Sequence, residues 1–135
     1  MKTASYTLIP FTAFGTETGN YDGQSESFIG TPQKAATYYL KEKELQTIAW
    51  YLNEFAGGII IEATLDTDPE TENYFQISPE PIGNIPEVEI MIYPPPVYPP
   101  ITENKAINIV GNYTWIRARV FRFTSGTINK VSMGY

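Results

Sequence analysis

The chain has 135 residues, a formal net charge of −6, and neither cysteine nor histidine. This length suits one domain with its own hydrophobic core. The missing residue types exclude disulfides, thiolate nucleophiles, zinc–thiolate sites and the usual Ser–His and Cys–His dyads. The acidic balance argues against nucleic-acid binding, and no apolar run has the length of a signal peptide or a membrane span. We therefore expect no enzyme, no cofactor, and no nucleic-acid or membrane partner.

The first third of the chain alternates between strand patterns and turn-rich segments. Residues 6–14 predict a first strand, which Pro10 confines to a sheet edge or a bulge. Residues 15–30 are rich in Gly, Ser, Thr and Asn and predict an extended loop. Residues 35–44 fit a short helix or a strand equally well. Residues 46–54 predict the next strand.

The middle of the chain contains the most apolar strand pattern. Gly57-Gly58 predicts a turn, and the Ile-rich residues 59–66 that follow are the clearest candidate for a buried strand. Three shorter strands are predicted after it, at residues 74–77, 88–93 and 106–110.

The acidic segment 66–72 is the one candidate for a metal site. Carboxylates at alternate positions supply the hard oxygen ligands that calcium prefers. The segment lacks the mid-loop glycine and the distant glutamate of an EF-hand loop, and Pro69 indicates a turn. The pattern therefore favours a solvated turn that also discourages edge pairing, and we predict no metal ligand. Many other pairs of acids are available for glycosidase chemistry, but no pattern selects one pair.

A proline-rich connector at residues 94–100 separates two of the predicted strands. Such a segment is stiff and extended, and one possible use is as a ligand for an aromatic groove. The favoured interpretation is a rigid connection that crosses between sheets or packs on a neighbouring subunit. Tyr93 and Tyr98 would then stack against the prolines and contribute to an interface.

The C-terminal 25 residues predict a long hairpin, with Ser125-Gly126 as its tight turn and residues 127–135 as the return strand. Alternation along a strand places Thr114, Ile116, Ala118, Val120 and Arg122 on one face. It places Tyr113, Trp115, Arg117, Arg119, Phe121 and Phe123 on the other. All three arginines of the protein lie on this strand. Trp, Tyr and Arg are enriched at interface hot spots, so we predict an interface made by Tyr113, Trp115, Arg117, Arg119 and Phe121.

Seven or eight short strands, with turn signals and no convincing helix, predict an all-β single domain over residues 1–135. The expected architecture is a β-sandwich or jelly roll with a long proline-rich connection.

Several segments also resemble small virion structural proteins of tailed phages. They are residues 28–39, residues 55–65, and the ending formed by residues 111–118 and 126–129, with the pattern Trp-Ile-Arg-Ala at positions 115–118. The order of these segments is also similar to that of the discoidin-like, galactose-binding jelly roll. The resemblance implies a structural role in the virion, with copies of itself and other virion proteins as partners. It leaves open a place in the head, neck, tail or fibre.

Two functions follow as hypotheses. The favoured one is a virion structural protein that decorates the capsid or builds the neck or tail through protein–protein assembly. The alternative is a carbohydrate-binding module, with Trp50, Trp115 and Tyr113 stacking on sugar rings and Arg117 and Arg119 bonding hydroxyls. Any glycan binding by the assembly protein itself is expected to be weak.

Overall fold

The computed structural model describes residues 5–38, 44–84 and 98–135. These residues form antiparallel β-strands joined in one curled sheet, with no helix among them. The all-β prediction is confirmed. The strands are β1 (Ser5–Ile9), β2 (Thr12–Ala13), β3 (Phe28–Ile29), β4 (Gln33–Lys34), β5 (Leu45–Thr64), β6 (Phe75–Gln76), β7 (Ile82–Gly83), β8 (Ile101–Val110) and β9 (Trp115–Gly134).

Two long strands, β5 and β9, form the centre of the sheet. Each has 20 residues, and they pair antiparallel from Thr47 opposite Gly134 to Thr64 opposite Trp115. Their register shifts in the middle, where Glu54, Arg122 and Gly126 have positive φ angles of 50°, 51° and 86°. Such bulges add a residue to one strand and increase the local twist. The pair therefore bends about its middle and does not continue as a flat ribbon.

The bend divides the sheet into two halves that face each other in a sandwich-like arrangement. In one half, β8 flanks the start of β5 and β1 flanks the end of β9. In the other half, β6 and β7 flank β5, and β3 and β4 flank β9. The halves meet where the Gln33 Nε2 donates to the Thr7 carbonyl at 3.0 Å. One apolar core lies between them and includes Leu8, Ile48, Leu52, Phe55, Ile59, Ile61, Ile116, Val120, Phe123 and Ile128.

Both predicted glycine turns are wrong, because neither reverses the chain. Gly58 pairs with Phe121, and Ser125 pairs with Ala56, all within the continuous β5–β9 ladder. The C-terminal hairpin is therefore a single bent strand. Position 126 requires glycine for the same reason that tight turns favour it, namely its freedom to adopt a positive φ angle. Gly126 has a positive φ, and a Cβ on it would collide with the Glu54 carbonyl of the neighbouring strand.

The bulge at Arg122 also changes which side chains face the core. The predicted alternation holds from Trp115 to Phe121, with Ile116 and Val120 buried and the odd-numbered residues half-buried. Beyond it the order reverses, so that Arg122 is exposed and Phe123 is fully buried. The predicted faces are wrong for these two residues. The bulge inserts one extra residue into the strand, so every side chain after it points to the face opposite to the one that simple alternation predicts.

Elsewhere the predicted elements are partly confirmed. The strand predicted at residues 6–14 is present but is divided at Pro10 into β1 and β2. The segment 15–30 is less open than predicted, because it ends in β3 and places Tyr21 fully inside the core. The segment 35–44 begins as a turn at residues 36–38, and its residues 39–43 lie outside the described part of the chain. The predicted strand at 88–93 and most of the connector at 94–100 also lie outside it.

The bulge geometry predicts different costs for two glycine substitutions. Gly15 and Gly126 have the same φ of 86°, but a Cβ on Gly15 meets nothing within 4 Å, whereas one on Gly126 meets the Glu54 carbonyl. We expect Gly15→Ala to lower the free energy of unfolding by about 1 kcal/mol, from backbone strain alone. We expect Gly126→Ala to lower it by about 3 kcal/mol. Urea denaturation of both variants measures the difference, and equal losses would show that Gly126 is an open turn.

Candidate functional site

The outer side of the first half of β9 carries the predicted interface residues. Trp115, Arg117, Arg119 and Phe121 follow one another along this side and are all half-buried. Tyr113 precedes the strand and is also half-buried. The structure therefore brings Trp115, Arg117, Arg119 and Phe121 to one surface, which we call the Arg–aromatic face, whereas the Tyr113 ring packs against the edge of the core. The ring of Phe121 lies over Gly58 of β5, where a Cβ would collide with it.

A single carboxylate organises the two arginines. Glu62 lies opposite Arg117 in the β5–β9 ladder, and its side chain is only 10% exposed. Arg117 Nε donates to Glu62 Oε1 at 3.0 Å, and Arg119 Nε donates to Oε2 at 3.1 Å. The Arg117 side chain is mostly covered, whereas that of Arg119 is 40% exposed. One negative charge thus fixes two positive charges, and Arg119 presents the more accessible of them.

Tyr74 covers Arg117 from the other side. The guanidinium carbon lies 3.7 Å from the centroid of the Tyr74 ring, a short cation–π contact. The Tyr74 hydroxyl donates to the Pro69 carbonyl at 3.0 Å. Burial raises the pKa of Tyr74, and the nearby Arg117 guanidinium opposes this shift. The phenol therefore stays protonated at neutral pH and holds the guanidinium between a carboxylate and an aromatic ring.

Aromatic side chains extend the face toward the beginning of β9. Trp115 Nε1 donates to the Thr67 carbonyl at 3.0 Å, and its ring meets Tyr38 edge-on with centroids 5.4 Å apart. The Lys34 ammonium lies 4.7 Å from the Tyr38 centroid. Tyr113 contacts Phe75, which lies opposite Ala63 and therefore at the rim of the core side of the sheet. The exposed apolar side chain of the face itself is Ile29 of β3, which lies opposite Arg119 and is 39% exposed.

The acidic segment 66–72 shapes this face and does not gather its carboxylates around one point. Asp66 Oδ2 accepts hydrogen bonds from Thr71 Oγ1 and Asn73 Nδ2, and these bonds lower the pKa of Asp66. Asp68 Oδ1 accepts a bond from the Glu70 amide. No group of three or more acidic side chains suited to a metal ion occurs among the described residues. The turn instead presents its carbonyl groups to Trp115 and Tyr74.

A shallow hollow of about 390 Å³ adjoins Arg119. Asp22 fixes the loop at its rim by accepting bonds from the amides of Gln24 and Ser25 and from the Ser25 hydroxyl. The same bonds lower the pKa of Asp22, with Ser25 as the main cause. The hollow is lined by Asn20, Asp22, Ser25, Ser27, Phe28, Ile29 and Arg119. Arg119 can therefore meet a ligand or a partner side chain that enters it.

Two predicted residues and the predicted sugar platform lie elsewhere. Tyr98 lines a separate groove of about 650 Å³ between β7 and β8, and Tyr93 lies outside the described residues. Trp50 of β5 also lines that groove, and its Nε1 donates to Glu103 Oε1 at 3.2 Å. Trp50 therefore does not share a surface with Trp115 and Tyr113, and the three rings do not form one stacking platform.

Sequence analysis missed several members of the site. Tyr38 and Tyr74 reach the face through three-dimensional contacts that no local pattern encodes. Glu62 did leave a signal, because it is the one charged residue within the buried Ile-rich run at residues 59–64. A nearly buried carboxylate requires a positive partner, and the arginines of β9 were the obvious candidates.

No protein-family model, curated protein or solved structure matches this chain. Within residues 5–38, 44–84 and 98–135, no helix is long and apolar enough to cross a membrane.

Neutralising Glu62 tests the ion-pair geometry. We expect Glu62→Gln to lower the free energy of unfolding by about 2–3 kcal/mol, because both guanidinium groups lose their charged partner. Arg119→Gln removes only the more exposed contact and is expected to cost less than about 1 kcal/mol. A double-mutant cycle in urea measures the coupling of each arginine to Glu62. A coupling larger for Arg119 than for Arg117 would contradict this geometry.

The pKa of Asp66 tests the acidic turn. Because the pKa of Asp66 is lowered in the folded protein, the hydrogen bonds to its carboxylate stabilise the fold. This stabilisation is complete above pH 3.8, the ordinary pKa of Asp. It is lost as the pH falls through the lower pKa that Asp66 has in the folded state. Because Thr71 is the main cause, we expect Thr71→Ala to raise the Asp66 midpoint toward 3.8, and Asn73→Ala to raise it less. An NMR titration of the Asp66 carboxyl carbon measures both. An unchanged midpoint in Thr71→Ala would contradict the assignment.

Proposed function

We propose that this protein is a non-catalytic structural component of a tailed-phage virion, which acts by burying its Arg–aromatic face against a neighbouring subunit. The observation that carries the assembly part is the combination of Arg117 and Arg119 with the aromatic rings of Trp115 and Tyr74 on one ordered surface. The virion part is supported by the sequence resemblance described above. Interface cores are enriched in Trp, Tyr, Phe and Arg, which matches the composition of this face.

The face is fixed before any partner binds. Arg117 is held by Glu62 and Tyr74, and Trp115 is held by the Thr67 carbonyl and by Tyr38. Immobilising a flexible side chain at an interface costs about 0.5–1.5 kcal/mol, so groups that are already fixed keep more of their contact energy. Preorganised aromatic and arginine side chains of this kind favour tight association.

The exposed parts of the face indicate what the neighbour must offer. Ile29 lies beside Arg119 on the face and is an exposed apolar side chain, which requires apolar contacts. Arg119 is 40% exposed beside its hollow and requires an acceptor, such as a carboxylate or a main-chain carbonyl. We therefore expect the neighbour to place an apolar patch over Ile29 and an acceptor near Arg119, over a standard interface of about 1,600 Å².

Carbohydrate binding is the second candidate, and one observation favours it. The hollow beside Arg119 is lined by Asn20, Asp22 and two serines. Such polar side chains around an exposed guanidinium can hydrogen-bond the hydroxyl groups of a sugar. In this case a glycan would bind in the hollow at Arg119, and not across the Trp115 ring, which already bonds the Thr67 carbonyl and packs against Tyr38.

Particle binding tests the assembly proposal. Ile29→Ala combined with Arg119→Ala should weaken binding of the purified protein to virions, or to particles that lack it, by at least tenfold. Phe11→Ala is the matched control, because Phe11 is 60% exposed but lies between β1 and β2, away from the face. It should bind like the natural protein. Sedimentation of labelled protein with particles measures both affinities.

Three results would contradict the proposal. One is equal binding by the double variant and the natural protein, and another is an absence of the protein from purified virions by quantitative mass spectrometry. The third is a monomer that ignores particles and whose tryptophan fluorescence responds to a glycan, which would favour the carbohydrate-binding module. If the protein is present, its copy number separates head or tail-tube positions, with hundreds of copies, from neck or baseplate positions with about six or twelve.

A further inference from the structure

The ten-residue strand β8 lies at an edge of the sheet, in the half opposite the Arg–aromatic face. It pairs with Leu45–Phe55 of β5 and with no other strand among the described residues. Its outward residues Thr102, Asn104 and Ala106 are all exposed. A long exposed edge of this kind is a template for pairing with another strand.

The hydrogen-bond pattern shows which main-chain groups face this open edge. The Gly111 amide donates to the Glu44 carbonyl, and the register continues from Leu45 opposite Val110 along β8. Hydrogen-bonded pairs alternate along an antiparallel ladder. The odd-numbered residues of β8 therefore bond to β5, whereas the N–H and C=O groups of Thr102, Asn104 and Ala106 point away from it.

The sequence of β8 is complementary to itself when a second copy runs antiparallel to it about Asn104. Glu103 then lies opposite Lys105 of the second copy, and Ile101 lies opposite Ile107. Thr102 lies opposite Ala106, and Asn104 lies opposite Asn104. Opposite charges and paired β-branched residues are the cross-strand combinations that stabilise a sheet.

The same register also satisfies the main chain. Asn104 pairs with its own copy, and Thr102 pairs with Ala106, and these are the residues whose N–H and C=O groups face outward. Glu103 and Lys105 occupy the intervening positions without interchain hydrogen bonds, where the side chains of opposite strands come closest. Pro99 and Pro100 precede the strand and cannot donate, so they limit the length of the new ladder.

We propose that two copies of this protein associate through β8 about a two-fold axis at Asn104, which joins their sheets into one. The interface is isologous, because each side contributes the same residues. A lysine in an edge strand commonly prevents pairing with another strand, but here the positive charge of Lys105 would lie opposite the negative charge of Glu103 in the second copy. Lys105 Nζ already lies 3.1 Å from Glu103 Oε2 in the same chain, so the charges that would meet across the axis lie together on each copy.

A charge-exchange experiment tests this register. Lys105→Glu places only acids at the central pairs of a homodimer, and Glu103→Lys places only lysines there. Each single variant should weaken self-association at least tenfold in sedimentation velocity. An equimolar mixture of the two variants should recover a heterodimer, because each acid then faces a lysine. Failure of the mixture to associate, with both variants folded by circular dichroism, would overturn the proposal.

A backbone variant provides an independent control. Ala106→Pro removes a donor that faces the open edge and leaves the β5 ladder intact, so it should abolish the dimer and keep the monomer folded. Ala106→Ser keeps the donor and should dimerise normally. A natural protein that stays monomeric at high concentration, as it would if residues 85–97 of the same chain covered β8, would overturn the proposal. These outcomes concern β8 alone and are distinct from those for the Arg–aromatic face.

Discussion

The bend shared by β5 and β9 is the constraint on which the rest of the structure depends. Without the bend, two paired 20-residue strands would extend as one long ribbon whose apolar side would stay exposed to water. The positive φ angles at Glu54, Arg122 and Gly126 concentrate the twist in the middle of the pair. The two halves of the sheet then face each other and enclose a single core. Gly126 makes this possible, because only a residue without Cβ fits against the Glu54 carbonyl.

The bend also determines where the Arg–aromatic face lies. Before the bulge at Arg122, alternation along β9 directs Ile116, Ala118 and Val120 inward and the arginines and rings outward. Glu62 reaches the same side because it lies opposite Arg117 on the paired strand. The acidic turn then supplies carbonyl acceptors to Trp115 and Tyr74. The positions of Arg117 and Arg119 on this surface are therefore determined by the register of the β5–β9 pair.

The sequence predicted the parts of this structure that depend on local period. Alternation from Trp115 to Phe121 identified the outward face correctly, and the Ile-rich run identified the buried part of β5. The sequence pattern did not predict that β5 and β9 are continuous, because glycine can adopt a positive φ angle in a tight turn and in a bulge alike. Ser125-Gly126 therefore has the pattern of a hairpin turn although the strand only bends there. Tyr38 and Tyr74 were missed because their contacts with β9 join residues that lie far apart in the sequence.

The central claim is that the Arg–aromatic face contacts another subunit in an assembled particle. Site-specific photo-cross-linking tests this most directly, with a photoreactive residue placed at position 29, opposite Arg119, and, as the control, at position 11. The account predicts that assembled virions give a cross-link from position 29 to a neighbouring virion subunit and none from position 11. Cross-links from position 11 alone, or none from position 29 in particles that contain the protein, would contradict it.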